Sequence, residues 1–197
     1  MNRERLEKRA GGEDRGPWKV LGSSAVYENP WISVREDRVV RPDGEPGIYG
    51  VVHYKNLAVG VLAVEDDHLY LVGQYRYPLG AYSWEIPEGG CPEDEEPLEA
   101  ARRELAEETG LVARDWRLLG EAHLSNSVSD EYGVWFVATG LEAGERRPEG
   151  TEELAVRRVP VGEALEMASD GRITDALSLV AIMGYALGRP ASRDAAV

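Results

Sequence analysis

The sequence predicts an α+β fold: a small antiparallel β-sheet followed by a larger domain in which further strands are joined to a few helices. Three observations predict it. Short runs of alternating or continuous apolar residues recur along the chain, punctuated by turn residues such as Arg41-Pro-Asp-Gly44 and Asp66-Asp67. The stretch from Glu95 to Thr109 has helical periodicity instead, and two more helix-like stretches close the chain. Finally, 197 residues with 43% hydrophobic side chains suffice for one real core with a small appendage.

Taken in order, residues 1–16 are polar, charged and glycine-bearing, and read as a disordered tail. Residues 17–56 read as the N-terminal sheet, with strands at Trp18 to Tyr27, Trp31 to Arg41 and Ile48 to Tyr54. Trp18 and Trp31 suit core anchors there, or platforms for a ring or a second copy of the chain. Residues 57–190 form the main domain, which opens with an apolar hairpin, Leu57 to Glu65 and His68 to Gln74. After the helix, Trp116 to His123 and Val134 to Thr139 read as strands joined by the polar loop Leu124 to Glu131. Gly140 to Thr151 reads as a loop and Leu154 to Pro160 as a strand. Val161 to Ser169 and Asp175 to Leu187 are helices, with Gly171 as the break between them.

Composition narrows the chemistry. A formal net charge of -14 opposes loose binding to nucleic acid or to an anionic membrane surface, since neither set of phosphates would be neutralised. An anionic small molecule would then need local positive charge or a bridging metal. Cys91 is the only cysteine, so an internal disulfide is impossible, and no apolar stretch near the N-terminus has the form of a leader. The expectation is a soluble, cytoplasmic protein.

The helix carries the densest chemistry. Glu93 to Glu96 place negative charge at its start and Gly110 stops it. At about 100° per residue, Leu98, Ala101, Leu105 and Thr109 share a buried stripe, with Glu104 and Glu108 one turn apart on its edge and Glu107 further round. Glutamate-rich helix faces are common as solvated surfaces laced with ion pairs, and Arg103 can pair with Glu107. The count nevertheless stays negative. Clustered hard oxygen ligands point to Mg²⁺ or Mn²⁺ as the offsetting partner.

The spacing is specific. Gly89, Glu95, Arg103-Glu104-Leu105, Glu107-Glu108 and Gly110-Leu111 fall at every defined position of the Nudix box, and the chain resembles the Nudix hydrolases, which cleave nucleoside diphosphates linked to a further moiety. The flanks resemble the subgroup that hydrolyses ADP-ribose and other nucleotide sugars. Gln74-Tyr-Arg-Tyr-Pro78 and Trp84-Glu-Ile-Pro-Glu-Gly-Gly90 precede the box, and Asp170-Gly-Arg-Ile-Thr-Asp-Ala176 follows it. This resemblance implies an α/β/α sandwich with a mixed central sheet. It also implies a homodimer in which the N-terminal sheet exchanges between copies.

What the resemblance implies for individual residues combines with the chemistry above. Glu104, Glu107 and Glu108 are expected as metal ligands, together with the backbone carbonyl of Glu88, which stands where the family usually has alanine. Glu104 or Glu108 can also take the proton of the attacking water, Arg103 orients these carboxylates, and Gly89 shapes the loop. Glu152 or Glu153 occupies the position of a loop glutamate that often serves as base. Arg76, whose guanidinium can fork onto phosphate, and Glu85 are expected to contact substrate. Trp31 is expected to stack on the base, and Ser125 and Asn126 to reach sugar hydroxyls. The subgroup's Ser-Pro-Gly stretch is replaced here by Ser125-Asn126-Ser127.

The leading reading is therefore a pyrophosphatase of nucleoside diphosphate sugars, ADP-ribose foremost, that uses Mg²⁺ or Mn²⁺. Nucleoside triphosphates or dinucleoside polyphosphates are the alternative substrates. A non-catalytic nucleotide sensor is the reading from another class, set against the intact box glutamates.

Overall fold

The structure, a computed structural model, describes residues 14–144 and 154–188. It divides into two compact units: Met1–Asn56 with Ser125–Glu131, and Leu57–Leu124 with Tyr132–Val197.

In the first unit, β1 (Lys19–Glu28), β2 (Ile32–Val40) and β3 (Pro46–Tyr54) form an antiparallel sheet in the order β1-β2-β3. The β2–β3 turn is held by Gly44 N–H donating to Arg41 O at 2.9 Å, and Gly44 has φ of 89°, a left-handed value that suits glycine. Before β1, Arg15 pairs with Trp18 in an isolated bridge, so structure begins slightly before the expected end of the tail. Residues 1–13 lie outside the described residues.

In the second unit the central sheet runs β10-β5-β4-β9-β8. Its members are β4 (Leu57–Glu65), β5 (His68–Arg76), β8 (Leu111–His123), β9 (Tyr132–Ala143) and β10 (Ala155–Pro160). β4 and β9 are parallel and the other pairs antiparallel, which makes the sheet mixed. Along β4, Val61 and Ala63 face one side while Leu62 and Val64 face the other. That double burial explains why the strand reads as a continuous apolar run. On the first side Val61, Ala63, Val134 and Phe136 pack against Ala101 and Leu105 of helix α1 (Pro97–Thr109). On the second, Leu62, Leu71, Trp135 and Val137 pack against Met167 of α2 (Val161–Asp170) and Leu177 and Ile182 of α3 (Ala176–Ala186). The unit is an α/β/α sandwich.

Two short strands were not expected. β4 and β5 pair only beside their turn, at Val64↔Leu69 and Glu65↔His68, where Asp66 and Asp67 both have positive φ. Beyond that the strands part. β6 (Ala81–Glu85) pairs with β5, and β7 (Glu88–Cys91) pairs with β4. The lead-in to the helix is thus strand rather than free loop: Gly89 pairs with Val59 and Gly90 with Ala58, a partner supplied by β4 rather than a propensity of Glu-Gly-Gly-Cys.

Other boundaries also shift. The strand expected from Trp116 begins at Leu111, and β9 continues through Gly140 to Ala143, so the first residues of the expected loop are strand. Pairing with β8 carries it: Leu141 lies opposite Ala113 and Ala143 opposite Leu111, while Gly140 takes φ of 65°. The rest of that expected loop, with Glu152 and Glu153, lies outside the described residues.

Candidate active site

α1 begins with Pro97 in its first turn, where the missing N–H costs nothing, and ends at Gly110, whose φ of 73° is left-handed and whose N–H donates to Ala106 O at 2.9 Å. Ala101 and Leu105 are wholly buried, which fixes the rotation of the helix and therefore the direction of its glutamates.

Glu108 departs from expectation. It lies not at the edge of the buried stripe but in the interior, 2% exposed, with Oε2 accepting the Glu88 N–H at 3.0 Å. A carboxylate in such a place is tolerable only with donors, and a β7 amide is one of them. Glu104 sits over Gly89 so closely that a Cβ at residue 89 would overlap its carboxyl group. Gly89 is therefore required here by proximity rather than by φ.

Arg103 ties the rest together. Its Nε and Nη2 donate to the two Glu95 oxygens at 3.1 and 2.8 Å, Nη1 to Glu104 at 2.7 Å and Glu107 at 3.1 Å, and Nη2 also to Gly90 O at 2.8 Å. The hydrogen bonds to Glu95 lead in raising the guanidinium pKa, and the same bonds lower that of Glu95. Glu95 is thus the anchor that holds Arg103 against the helix. Cys91, buried on β7, donates its thiol to Glu95 O at 3.2 Å and is a packing residue.

Beside this lies a second constellation from four segments. Arg76 at the end of β5 donates Nε to both Glu85 oxygens at 3.0 Å, and its Nη2 reaches Glu85 at 2.5 Å and Glu88 at 2.9 Å. Burial opposes the Arg76 charge, but Glu85, Glu88 and Asp175 outweigh it and raise its pKa. Burial first, then the charges of Asp175 and Glu85, push the Glu88 carboxyl well above its ordinary range. Its Oε2 is buried without a hydrogen-bond partner of good geometry among the described residues, although Asp175 stands beside it. Asp175 caps α3 by accepting the Ser178 N–H at 2.7 Å. Ser178 Oγ in turn accepts the Ile86 N–H at 2.9 Å, which fixes the corner between β6 and β7. Sequence reasoning placed Asp175 at a helix start and within the tail that resembles the subgroup, with no role in the site. Aspartate immediately before Ala-Leu-Ser announces the cap, but nothing local announces Glu88 as its neighbour.

The donor set suits a hard divalent cation: Glu104, Glu107 and Glu108 project from one helical turn, next to the carbonyl-bearing strand of Glu88 and Gly89. In the arrangement described, Arg103 holds Glu104 and Glu107, and the Glu88 amide bonds Glu108. Among the described residues no three Asp, Glu, His or Cys groups already converge as an ion would require. Holding one would require Glu104 and Glu107 to turn from Arg103.

The remaining expected contacts belong to the N-terminal unit. Trp31 is 66% exposed and its backbone N–H donates to Asn29 Oδ1 at 2.9 Å, so it is not a core anchor. Ser125 accepts from Ser129 Oγ at 3.0 Å, and Asn126 is exposed. Among the described residues no helix is long and apolar enough to cross a membrane.

Two family models match this chain. A family model described as the NUDIX domain matches residues 54–177, and one described as a nucleoside diphosphate sugar hydrolase N-terminal domain matches residues 18–52. An ADP-ribose pyrophosphatase of Mycobacterium tuberculosis is 31% identical, the match covering 88% of each chain. One of Bacillus subtilis is 30% identical over 83% of this chain and 90% of its own. A solved structure described as an ADP compounds hydrolase superposes with a TM-score of 0.79 at 22% identity, covering 90% of this chain and 95% of that one, which supports the fold.

Proposed function

The chain belongs to the Nudix family, and from that premise we propose that it hydrolyses the pyrophosphate of nucleoside diphosphate sugars, with ADP-ribose as substrate. Water attacks one phosphorus, the bridging P–O bond breaks, and a nucleoside monophosphate and a sugar phosphate leave. The observation that carries this reading is the assembly at α1, where Arg103 collects Glu95, Glu104 and Glu107 while Glu108 is drawn inside by the Glu88 amide. The two ADP-ribose pyrophosphatases, at 31% and 30% identity, support the choice of substrate.

Glu104, Glu107, Glu108 and the Glu88 carbonyl are the groups that would hold Mg²⁺ or Mn²⁺. When bound, such an ion neutralises phosphoryl oxygens and lowers the pKa of water. The chain's own residues do the rest. Glu104 or Glu108 accepts the proton of the attacking water at a carboxylate oxygen, and Arg103 keeps Glu104 and Glu107 oriented until it is displaced. Arg76, steered by Glu85, offers its guanidinium edge to the diphosphate. Glu152 or Glu153 is a further candidate for the base. We also expect a homodimer: Leu21, Val26, Tyr27, Trp31 and Ile48 leave apolar surface exposed on the N-terminal unit, and Trp31 is the side chain offered for stacking.

The test is a panel of ADP-ribose, GDP-mannose, UDP-glucose, NADH and 8-oxo-dGTP, assayed with Mg²⁺, with Mn²⁺ and with EDTA. ADP-ribose should be turned over fastest, EDTA should abolish turnover, and added metal should restore it. Turnover of the triphosphate with none of the nucleotide sugars would overturn the substrate assignment.

A further inference from the structure

No step of the hydrolysis uses the Glu88 side chain; only its backbone is engaged. That carboxyl stands where the family usually has the methyl group of alanine, and it touches the guanidinium offered to the diphosphate. Its effect there depends on which hydrogens of Arg76 are already taken.

A guanidinium presents a side edge, Nε with Nη2, and an end edge, Nη1 with Nη2, and either can fork onto an oxyanion. Glu85 fills the side edge of Arg76: Nε donates to both of its oxygens at 3.0 Å and Nη2 to its Oε2 at 2.5 Å. Nη2 also donates to Glu88 Oε1 at 2.9 Å, which takes half of the end edge. Among the described residues none accepts from Nη1. The Arg76 side chain is 34% exposed, against 2% for Glu85 and 13% for Glu88, so its Nη1 end is what a ligand can reach.

Glu88 is held where it is. It lies on β7, paired with Gly60 of β4, and its N–H donates to Glu108 Oε2 at 3.0 Å. Among the described residues its Oε2 has no hydrogen-bond partner of good geometry, so the bond from Arg76 to Oε1 is what satisfies the carboxyl, and little favours its leaving Nη2. No charge on Glu88 is required, since the carbonyl oxygen of a neutral acid accepts from Nη2 as well. Glu85, already bidentate, suffices to aim Arg76. The bond to Glu88 therefore adds a restriction rather than a direction.

On the reading in which Arg76 meets the diphosphate, we propose that the Glu88 side chain is a specificity-determining residue: it occupies half of the end edge of Arg76, so that phosphate is met by Nη1 alone and not by a two-nitrogen fork. The restriction falls hardest on a terminal phosphate, which offers a fork more oxygens and more charge than a phosphate linked on both sides. It thus favours diphosphates substituted at both ends over triphosphates.

The experiment is calorimetric titration of the full chain with inorganic pyrophosphate in EDTA, which needs no turnover, beside kcat/KM for ADP-ribose and 8-oxo-dGTP with Mg²⁺. Glu88→Ala keeps the backbone carbonyl and should bind pyrophosphate about tenfold more tightly than the wild type. Glu88→Gln keeps an oxygen for Nη2 and should gain under about twofold. In an Arg76→Ala background, Glu88→Ala should bring no gain, because the effect passes through the guanidinium. Glu88→Ala should also raise kcat/KM on 8-oxo-dGTP relative to that on ADP-ribose, chiefly through KM. Pyrophosphate binding no tighter in Glu88→Ala, an equal gain in Glu88→Gln, a gain that persists without Arg76, or no Arg76-dependent binding at all would each overturn the proposal. A wild type that binds as described but turns over no ADP-ribose would overturn the hydrolase reading instead.

Discussion

Replacing Gly89 by alanine separates what the site needs for folding from what it needs for chemistry. Gly89 is not among the glycines with positive φ, so alanine is acceptable to the β7 backbone. The atoms nearest to the new methyl group all belong to the end of the Glu104 side chain, a flexible group that can swing away. The structural cost should therefore be small, at most about 1 kcal/mol, below the usual range for overpacking. The chemical cost should not be small. To regain van der Waals distance the carboxyl must move on the order of 1 Å, which strains its bond to Arg103. A displacement of that size at a reacting centre lowers rates about 100-fold. Denaturant unfolding measures the first quantity and initial rates on ADP-ribose with saturating Mg²⁺ the second. A variant that kept full turnover would refute the placement of Glu104 in the machinery, and one destabilised by several kcal/mol would refute the local steric argument.

Three other outcomes are expected. Because the folded chain raises the Glu88 pKa above 4.5, its stabilising effect is complete below that value and is lost as pH rises through the folded pKa. Glu88→Gln should therefore gain stability relative to the wild type as pH rises through this window, seen as diverging denaturant midpoints. Arg103→Ala should lower turnover about 100-fold while costing only about 1 kcal/mol of stability, since its ion pairs are partly solvated and screened; steady-state kinetics beside thermal melts check both. Leu105→Ala, at a wholly buried position between α1 and the sheet, should cost about 2–5 kcal/mol by chemical denaturation.

Much of the scaffold was legible because its signals are local. The apolar run at Leu57–Glu65 and the stripe through Leu98, Ala101 and Leu105 each follow from one element's own periodicity. The α/β/α arrangement and its mixed sheet came from the box and its flanks. What escaped depended on partners distant in sequence. Glu-Gly-Gly-Cys becomes a strand because β4 and β5 part and leave an edge for it. Glu108 turns inward because the Glu88 amide bonds it, and periodicity alone places a glutamate on the edge of a stripe. Glu88 stood out as a departure from the family pattern. That its side chain shares Arg76 with Glu85 and lies beside Asp175 needed four segments to be folded together.

The most direct test of the central claim is metal-dependent turnover of ADP-ribose by the wild type and by Glu108→Gln. Glutamine keeps a carbonyl oxygen for the Glu88 N–H, so the variant should fold with an unchanged melting curve. With Mg²⁺ its kcat should nevertheless fall by about 10²–10⁴, the loss of a charged ligand and possible proton acceptor. Wild-type turnover that persists in EDTA, or a Glu108→Gln variant as active as the wild type, would contradict the account.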